Sequence, residues 1–184
     1  MSDDLQQIDE ILKGQTAAFG NLVQKYQDRL FNSVAYMVGN VEDARDIVQE
    51  AFVQALLNLK SFQGTSALYT WLYRIACNVA ATQRRRKRPK ISVERGREMA
   101  GVEPIDEHPG PAEQVEINER SRQVRQGLAQ LSEEHREVLV LREIEGCGYE
   151  TMAEILDLPI GTIRSRLHRA RLELREELKS VLID

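Results

Sequence analysis

Nowhere in the 184 residues is there an unbroken apolar run of the roughly 18 to 20 that a membrane span needs. The N-terminus, Met-Ser-Asp-Asp, lacks both the cationic start and the apolar core of a secretion signal. A cytoplasmic chain with no membrane insertion is expected. Only two cysteines occur, Cys77 and Cys147, far apart and in no Cys-x-x-Cys pair, so reduced packing residues are expected in place of a disulfide or metal centre. The three histidines, His108, His135 and His168, are scattered, and neither a phosphate-cradling loop nor a nucleophile with its base is recognisable. No catalytic residue, cofactor or metal is expected, and the reading is of a protein that is not an enzyme.

Glycine and proline are also scarce along most of the chain, while Leu, Glu, Arg, Ala and Gln recur at spacings of three and four, the helical period. With 42% hydrophobic and 29% charged residues the chain can bury a core, and two small domains fit its length. The expectation is an all-α fold of two small helical domains joined by a flexible linker, the C-terminal one a helix-turn-helix. Phe19, Leu22, Val23, Tyr26, Leu30, Phe31, Val34 and Met37 mark one long amphipathic helix. Asn40 is placed to cap a second, whose stripe runs through Val41, Ala44, Ile47, Val48, Ala51, Phe52, Ala55, Leu56 and Leu59. The segment Phe62 to Ser66 breaks the period, and Thr65 or Ser66 is expected to cap a third helix through Trp71, Ile75 and Val79.

Pro89 ends that helix, and the Pro- and Gly-bearing stretch to Ala112 reads as a linker. The expected boundaries are 1–88, a linker 89–112, and 113–184. At about 3.3 to 3.6 Å per extended residue the linker could reach on the order of 75 Å. Beyond it come a helix near Glu113 to Leu131, a helix capped by Ser132, and then the pair with the strongest pattern. Glu150 to Leu156 is a short helix, Asp157-Leu158-Pro159 a tight turn, and Ile160 opens a longer helix. Ala153 is small where the helices approach, and Asp157 stands where a left-handed residue is needed.

The charge distribution says what the net charge of −4 hides. Arg84, Arg85, Arg86, Lys87, Arg88 and Lys90 form one basic run, and Arg164, Arg166, Arg169, Arg171 and Arg175 a basic helix, on an otherwise acidic chain. DNA contact at two chosen places, with weak free binding, is expected. At about 100° per residue, Ile163, Leu167, Ala170 and Leu174 face inward, leaving Arg164, Ser165, His168 and Arg169 outward to read bases. Arg166 and Arg171, at the flanks, suit phosphates. The bland alternative is a solvated cationic helix closing an ordinary bundle.

In the first domain Asp46, Gln49 and Glu50 lie at i, i+3 and i+4, an acidic patch that by spacing alone is a solvated helix face. The stretch Tyr69 to Asn78 mixes aromatics, Arg and Asn, the combination by which single-stranded DNA is stacked and its backbone tracked. Trp71 is expected in the core, and DNA contact falls to Gln63, Gly64, Thr65, Ser66, Tyr69, Tyr73 and Asn78, with Arg84, Arg85 and Arg86.

Three segments, Asp46 to Phe52, Tyr69 to Ala76 with Asn78, and Gly161 to Arg171, in this order and so spaced, resemble those of an RNA polymerase sigma factor of the extracytoplasmic-function group. The resemblance implies that residues matching Asp46, Gln49 and Glu50 hold the clamp helices of the largest polymerase subunit. It implies that a base of the minus-ten element is flipped into a pocket of the loop Gln63 to Tyr69, with Asn78 nearby, at a cost of a few kcal/mol. It implies that Arg164, Ser165, His168 and Arg169 read the minus-thirty-five element, that the linker threads toward the polymerase active centre, and that an anti-sigma protein is a partner. The chain departs from the pattern at Leu68, at Ala81-Thr82-Gln83, at Thr151 and Met152, and at Asp157, where glycine is usual. A free-standing helix-turn-helix regulator is the alternative; it would need a dimer to match symmetric half-sites.

Overall fold

The computed structural model describes residues 3–87 and 123–182, and no strand occurs among them. The linker 89–112, Arg88, Lys90, His108 and the first half of the helix expected from Glu113 lie outside the described residues. The described chain forms two compact units, residues 3–34 with 42–87 and residues 35–41 with 123–182.

The first unit is built on the helices α1 (Asp3–Leu12), α2 (Ala17–Val38, as far as Val34), α3 (Val41–Leu57, from Glu42) and α4 (Leu68–Lys87). The stripes of α2 and α3 fall where their spacing puts them: Leu22, Leu30 and Val34 are buried on α2, and Ala44, Ile47, Val48, Ala51, Phe52 and Ala55 on α3. A fully buried side chain of the size of Leu30 or Ile47 contributes about 1.5 to 3 kcal/mol. Leu56, assigned above to the inner stripe, is instead 40% exposed, because Ala55 and Leu59 already complete the inward face and Leu56 lies a quarter turn off it. The third helix starts at Leu68, with the Trp71 amide bonded to the Ala67 carbonyl at 3.2 Å. Its start is therefore later than a Thr65 or Ser66 cap would place it. Residues before it are taken up by a turn at Gly64, whose φ of +70° favours glycine.

Sequence periodicity did not single out α1. Ile8 and Ile11 bury against Ala18, Leu22, Leu59 and Leu68, with Phe19, Tyr26, Phe62 and Trp71 around them. Its first turn is tied down by Asp4, which accepts from Lys25 Nζ and from the Tyr26 hydroxyl, each at 2.6 Å. Burial works to raise the Asp4 carboxyl, but the hydrogen bonds from Lys25 and Tyr26 prevail and hold it below its ordinary value.

The second unit contains a helix at residues 123–130 (α5), then α6 (Glu133–Leu139), α7 (Tyr149–Leu156) and α8 (Ile160–Leu182). Ser132 caps α6 as expected, its hydroxyl oxygen accepting from the His135 amide at 3.4 Å. From Val140 to Ile144 the helix widens into a π turn, in which the Glu145 amide reaches back to the Val140 carbonyl at 3.0 Å. Val138, Leu139, Val140 and Leu141 are all buried, four in succession, more than one face of a regular helix can hide. Arg136 is buried beside them. Its Nε donates to the Leu128 carbonyl at 2.8 Å and its Nη2 to those of Ala129 and Leu131 at 3.0 and 3.1 Å, satisfying the carbonyls that α5 leaves open. At Gly127 a side chain would meet Leu174 and Leu178 at 3.1 Å, so its lack of one lets α5 approach α8.

Candidate nucleic-acid interface

The helix-turn-helix is present as read. Asp157 ends α7 at φ 53° and ψ 50°, the left-handed conformation its position demanded, and its amide bonds the Ala153 carbonyl. Met152 and Ile155 of α7 are buried, as are Ile163, Leu167 and Ala170 of α8, while Leu174 is half-buried. That register fixes the other side: Arg164, Ser165, His168 and Arg169 are exposed on one face of α8. The Ser165 hydroxyl donates to the Thr162 carbonyl at 3.0 Å, which occupies its proton and leaves its oxygen to accept. The guanidinium carbon of Arg164 stands 5.4 Å from the centroid of the Tyr149 ring.

Arg166 and Arg171 are engaged elsewhere in the same unit. Arg166 pairs with Glu134 at 3.0 Å, and Arg171 directs Nε and Nη2 at one oxygen of Glu143, at 3.0 and 2.6 Å. A phosphate at either arginine would share the guanidinium with a carboxylate or compete with it. His135 Nδ1 and Glu173 form a further hydrogen bond between α6 and α8. These ties fasten the outer part of α8 to the rest of its unit and leave the exposed face to the four residues named first.

On α3, Asp46, Gln49 and Glu50 are exposed together, with the Gln54 amide donating to Glu50 at 2.8 Å. The same face continues at helical spacing into Val53, Leu56 and Leu57, which are 48%, 40% and 76% exposed. Three exposed apolar side chains on one face are an unsatisfied surface that an isolated domain does not need. The signal was in the sequence, in a spacing of 46, 49/50, 53 and 56/57, but Leu56 was absorbed into the core stripe.

Around the loop before α4, Gln63, Gly64 and Thr65 are exposed and Ser66 half-buried. Leu5 of α1 lies 3.6 Å from where a side chain on Gly64 would begin. Asn78 is exposed on α4, its carbonyl accepting from Thr82, and Arg85 and Arg86 are exposed beyond it with Arg84 half-buried. Arg74, exposed one turn before Asn78, shares this face and was not singled out from the sequence.

Tyr69 and Tyr73 require a correction. Both are buried, at 9% and 1% exposure, and they pack on each other with Tyr26 against Tyr69 at 5.6 Å between centroids. The guanidinium of Arg29 lies 4.0 Å from the centroid of the Tyr69 ring. With that ring covered and Tyr73 enclosed, neither offers a face to an unstacked base. Trp71, expected in the core, is half-buried against Phe62 at 5.4 Å.

Comparison with known proteins bears on both units. Residues 22–90 match the family model for sigma-70 region 2, and residues 121–174 that for sigma-70 region 4. RNA polymerase sigma-H factor of Pseudomonas aeruginosa is 36% identical over 184 residues, covering 97% of this chain and 95% of that protein. ECF RNA polymerase sigma factor SigW of Bacillus subtilis is 34% identical over 181 residues, covering 95% and 96%. Among solved structures, the sigma factor RpoE of Bartonella quintana, in complex with the anti-sigma factor NepR, is similar at a TM-score of 0.67 and 28% identity, over 88% of this chain and 96% of that one. With relatives aligned nearly end to end and both family models matched in order, the chain belongs to the sigma-70 family, as an RNA polymerase sigma factor of the extracytoplasmic-function group.

Proposed function

We propose that this sigma factor docks on core RNA polymerase with the exposed face of α3, opens the minus-ten element beside α4, and reads the minus-thirty-five element with the exposed face of α8. The division of labour follows the domains 1–88 and 113–184, with 89–112 as their tether. The observation that carries the reading is the register of α8: Ile163, Leu167 and Ala170 buried, Arg164, Ser165, His168 and Arg169 outward on a helix that follows a tight turn. Arginine suits bidentate contact with guanine, and each good pair of this kind contributes about 1 to 3 kcal/mol of discrimination.

For the polymerase contact, Asp46, Gln49 and Glu50 supply the polar rim and Val53, Leu56 and Leu57 the apolar anchor. For the minus-ten strand, Gln63, Gly64, Thr65 and Ser66 form the loop that receives a base, and Arg74, Asn78, Arg84, Arg85 and Arg86 line the strand path along α4. Tyr69 and Tyr73 serve as the aromatic support beneath this surface. Arg166 and Arg171 contact phosphates in competition with Glu134 and Glu143. The protein acts in the cytoplasm by binding, with the bond-making chemistry left to polymerase. The Bartonella relative is held by an anti-sigma factor, and we infer an inhibitor of the same class here. Against a free-standing regulator stand the relatives aligned over nearly the whole chain, which are RNA polymerase sigma factors.

The polymerase contact is tested by titrating fluorescently labelled protein with core enzyme. The triple substitution Asp46→Ala, Gln49→Ala, Glu50→Ala, and separately Leu57→Ser, are expected to weaken binding at least about tenfold, the loss of roughly 1.4 kcal/mol, with unchanged melting temperatures. Wild-type affinity in both would overturn the assignment of this face.

A further inference from the structure

We propose that Tyr149 is a positioning residue for base reading: its ring holds the Arg164 guanidinium in the pose from which that arginine meets a base edge. The proposal rests on the reading of α8 given above and extends it to a residue outside the recognition helix. Tyr149 is the first residue of α7 and is half-buried. Two arginines converge on its ring. Arg142, from the π turn, has its guanidinium carbon 5.2 Å from the ring centroid, and Arg164, from α8, lies 5.4 Å from the same point. Both distances fall inside the roughly 6 Å within which a cation is drawn to an aromatic face.

The two cations are not equivalent. Nη1 of Arg142 donates to the Cys147 carbonyl at 2.8 Å, so this arginine is anchored to the backbone just before α7. Arg164 is exposed and reaches the ring from the first turns of α8, where the base-reading residues begin. An exposed arginine ordinarily samples many rotamers, and ordering it on a base edge subtracts from the binding it gains. Contact with a ring limits that sampling before DNA arrives. It also needs no hydrogen-bond acceptor, so the N–H donors of the guanidinium remain available for a bidentate contact. Arg166 and Arg171 show the contrast: a carboxylate holds each, engaging Nη2 of Arg166 and both Nε and Nη2 of Arg171. The chemistry at Tyr149 therefore suits an arginine kept oriented and unspent, and the ligand it favours is the double-acceptor edge of a guanine.

The test uses the full chain with core polymerase and a set of promoters carrying every single substitution in the minus-thirty-five element. Initiation is scored as the ratio between matched and substituted promoters, for wild type, Arg164→Ala, Tyr149→Leu and Tyr149→Phe. Arg164→Ala is expected to flatten the preference at one base pair. Tyr149→Leu should reduce it at that same base pair by about two- to fivefold, the range of an exposed cation–π contact, while Tyr149→Phe, which keeps the ring, retains it. Independently of folding in any variant, the Arg164 side-chain NMR signals of the wild-type chain should be shifted upfield by the ring.

A wild-type Arg164 signal without that shift overturns the proposal, as does Tyr149→Leu with full preference, or Tyr149→Phe behaving like Tyr149→Leu. If Arg164→Ala leaves every preference intact, the assignment of α8 itself fails and the proposal falls with it. That result is distinguishable, because it appears in a variant that leaves Tyr149 untouched.

Discussion

Asp157 holds φ 53° and ψ 50°, a conformation that places Cβ against the following carbonyl and that glycine adopts without cost. Among the described residues it is the one non-glycine with positive φ. Asp157→Gly is expected to stabilise the chain by about 0.5 to 1 kcal/mol and Asp157→Val to destabilise it by about 1 to 2 kcal/mol; thermal unfolding decides, and a stabilising valine would contradict the turn geometry. Asp4 makes a second prediction at this scale. Its carboxyl is held below the usual range, so its contribution is full above the unfolded carboxylate pKa and is lost as pH falls through the lower folded value. The window lies below about pH 4. The melting temperature of Asp4→Asn should fall short of wild type at pH 7 and approach it at pH 3. An equal deficit at both would mean that the Asp4 contacts with Lys25 and Tyr26 do not hold α1. Tyr69 and Tyr73 show where residue type misleads. Aromatics interleaved with Arg and Asn describe a strand-binding surface and an amphipathic core stripe equally well. Tyr69, Tyr73 and Cys77, at i, i+4 and i+8 beside Leu68, Leu72 and Ala76, are the latter.

At the scale of elements, the long helices were legible because each buries one continuous stripe, and 3.6-residue periodicity survives in any window several turns long. The turn between α7 and α8 was legible for a different reason: a left-handed position limits the residues that can occupy it. Two elements were not legible. The short helix α1 owes its place to Ile8, Ile11 and the long-range bonds of Asp4, and local sequence does not announce a partner 21 residues away. The π turn adds one residue per turn and shifts the register at Val140, which no regular period anticipates. It carries Arg142 to the Tyr149 ring and Glu143 to Arg171 of α8. The helix-turn-helix as a unit depends on Leu167, which is 1% exposed. Leu167→Ala should cost about 2 to 5 kcal/mol. It should abolish dependence on the minus-thirty-five element while leaving core binding near wild type, as measured by the titration described above. Loss of core binding with it would place part of the polymerase contact on the second unit.

Over the whole molecule, the acidic balance and the two basic segments work together. A chain of net charge −4 has little general attraction for DNA, and under the function proposed above its cationic residues on α4 and α8 act once polymerase brings them to a promoter. Both described units were legible as helical bodies, while the residues between them, 88–122, lie outside the described part and leave the expected tether as a reading of composition. Polymerase dependence is the central claim. The measurement that tests it most directly is run-off transcription with purified core polymerase on a library of promoter fragments, with wild type beside the Asp46→Ala, Gln49→Ala, Glu50→Ala variant. Transcripts from a defined subset of fragments are expected with wild type, and none above core enzyme alone with the variant. Wild type that neither binds core nor directs initiation would contradict it.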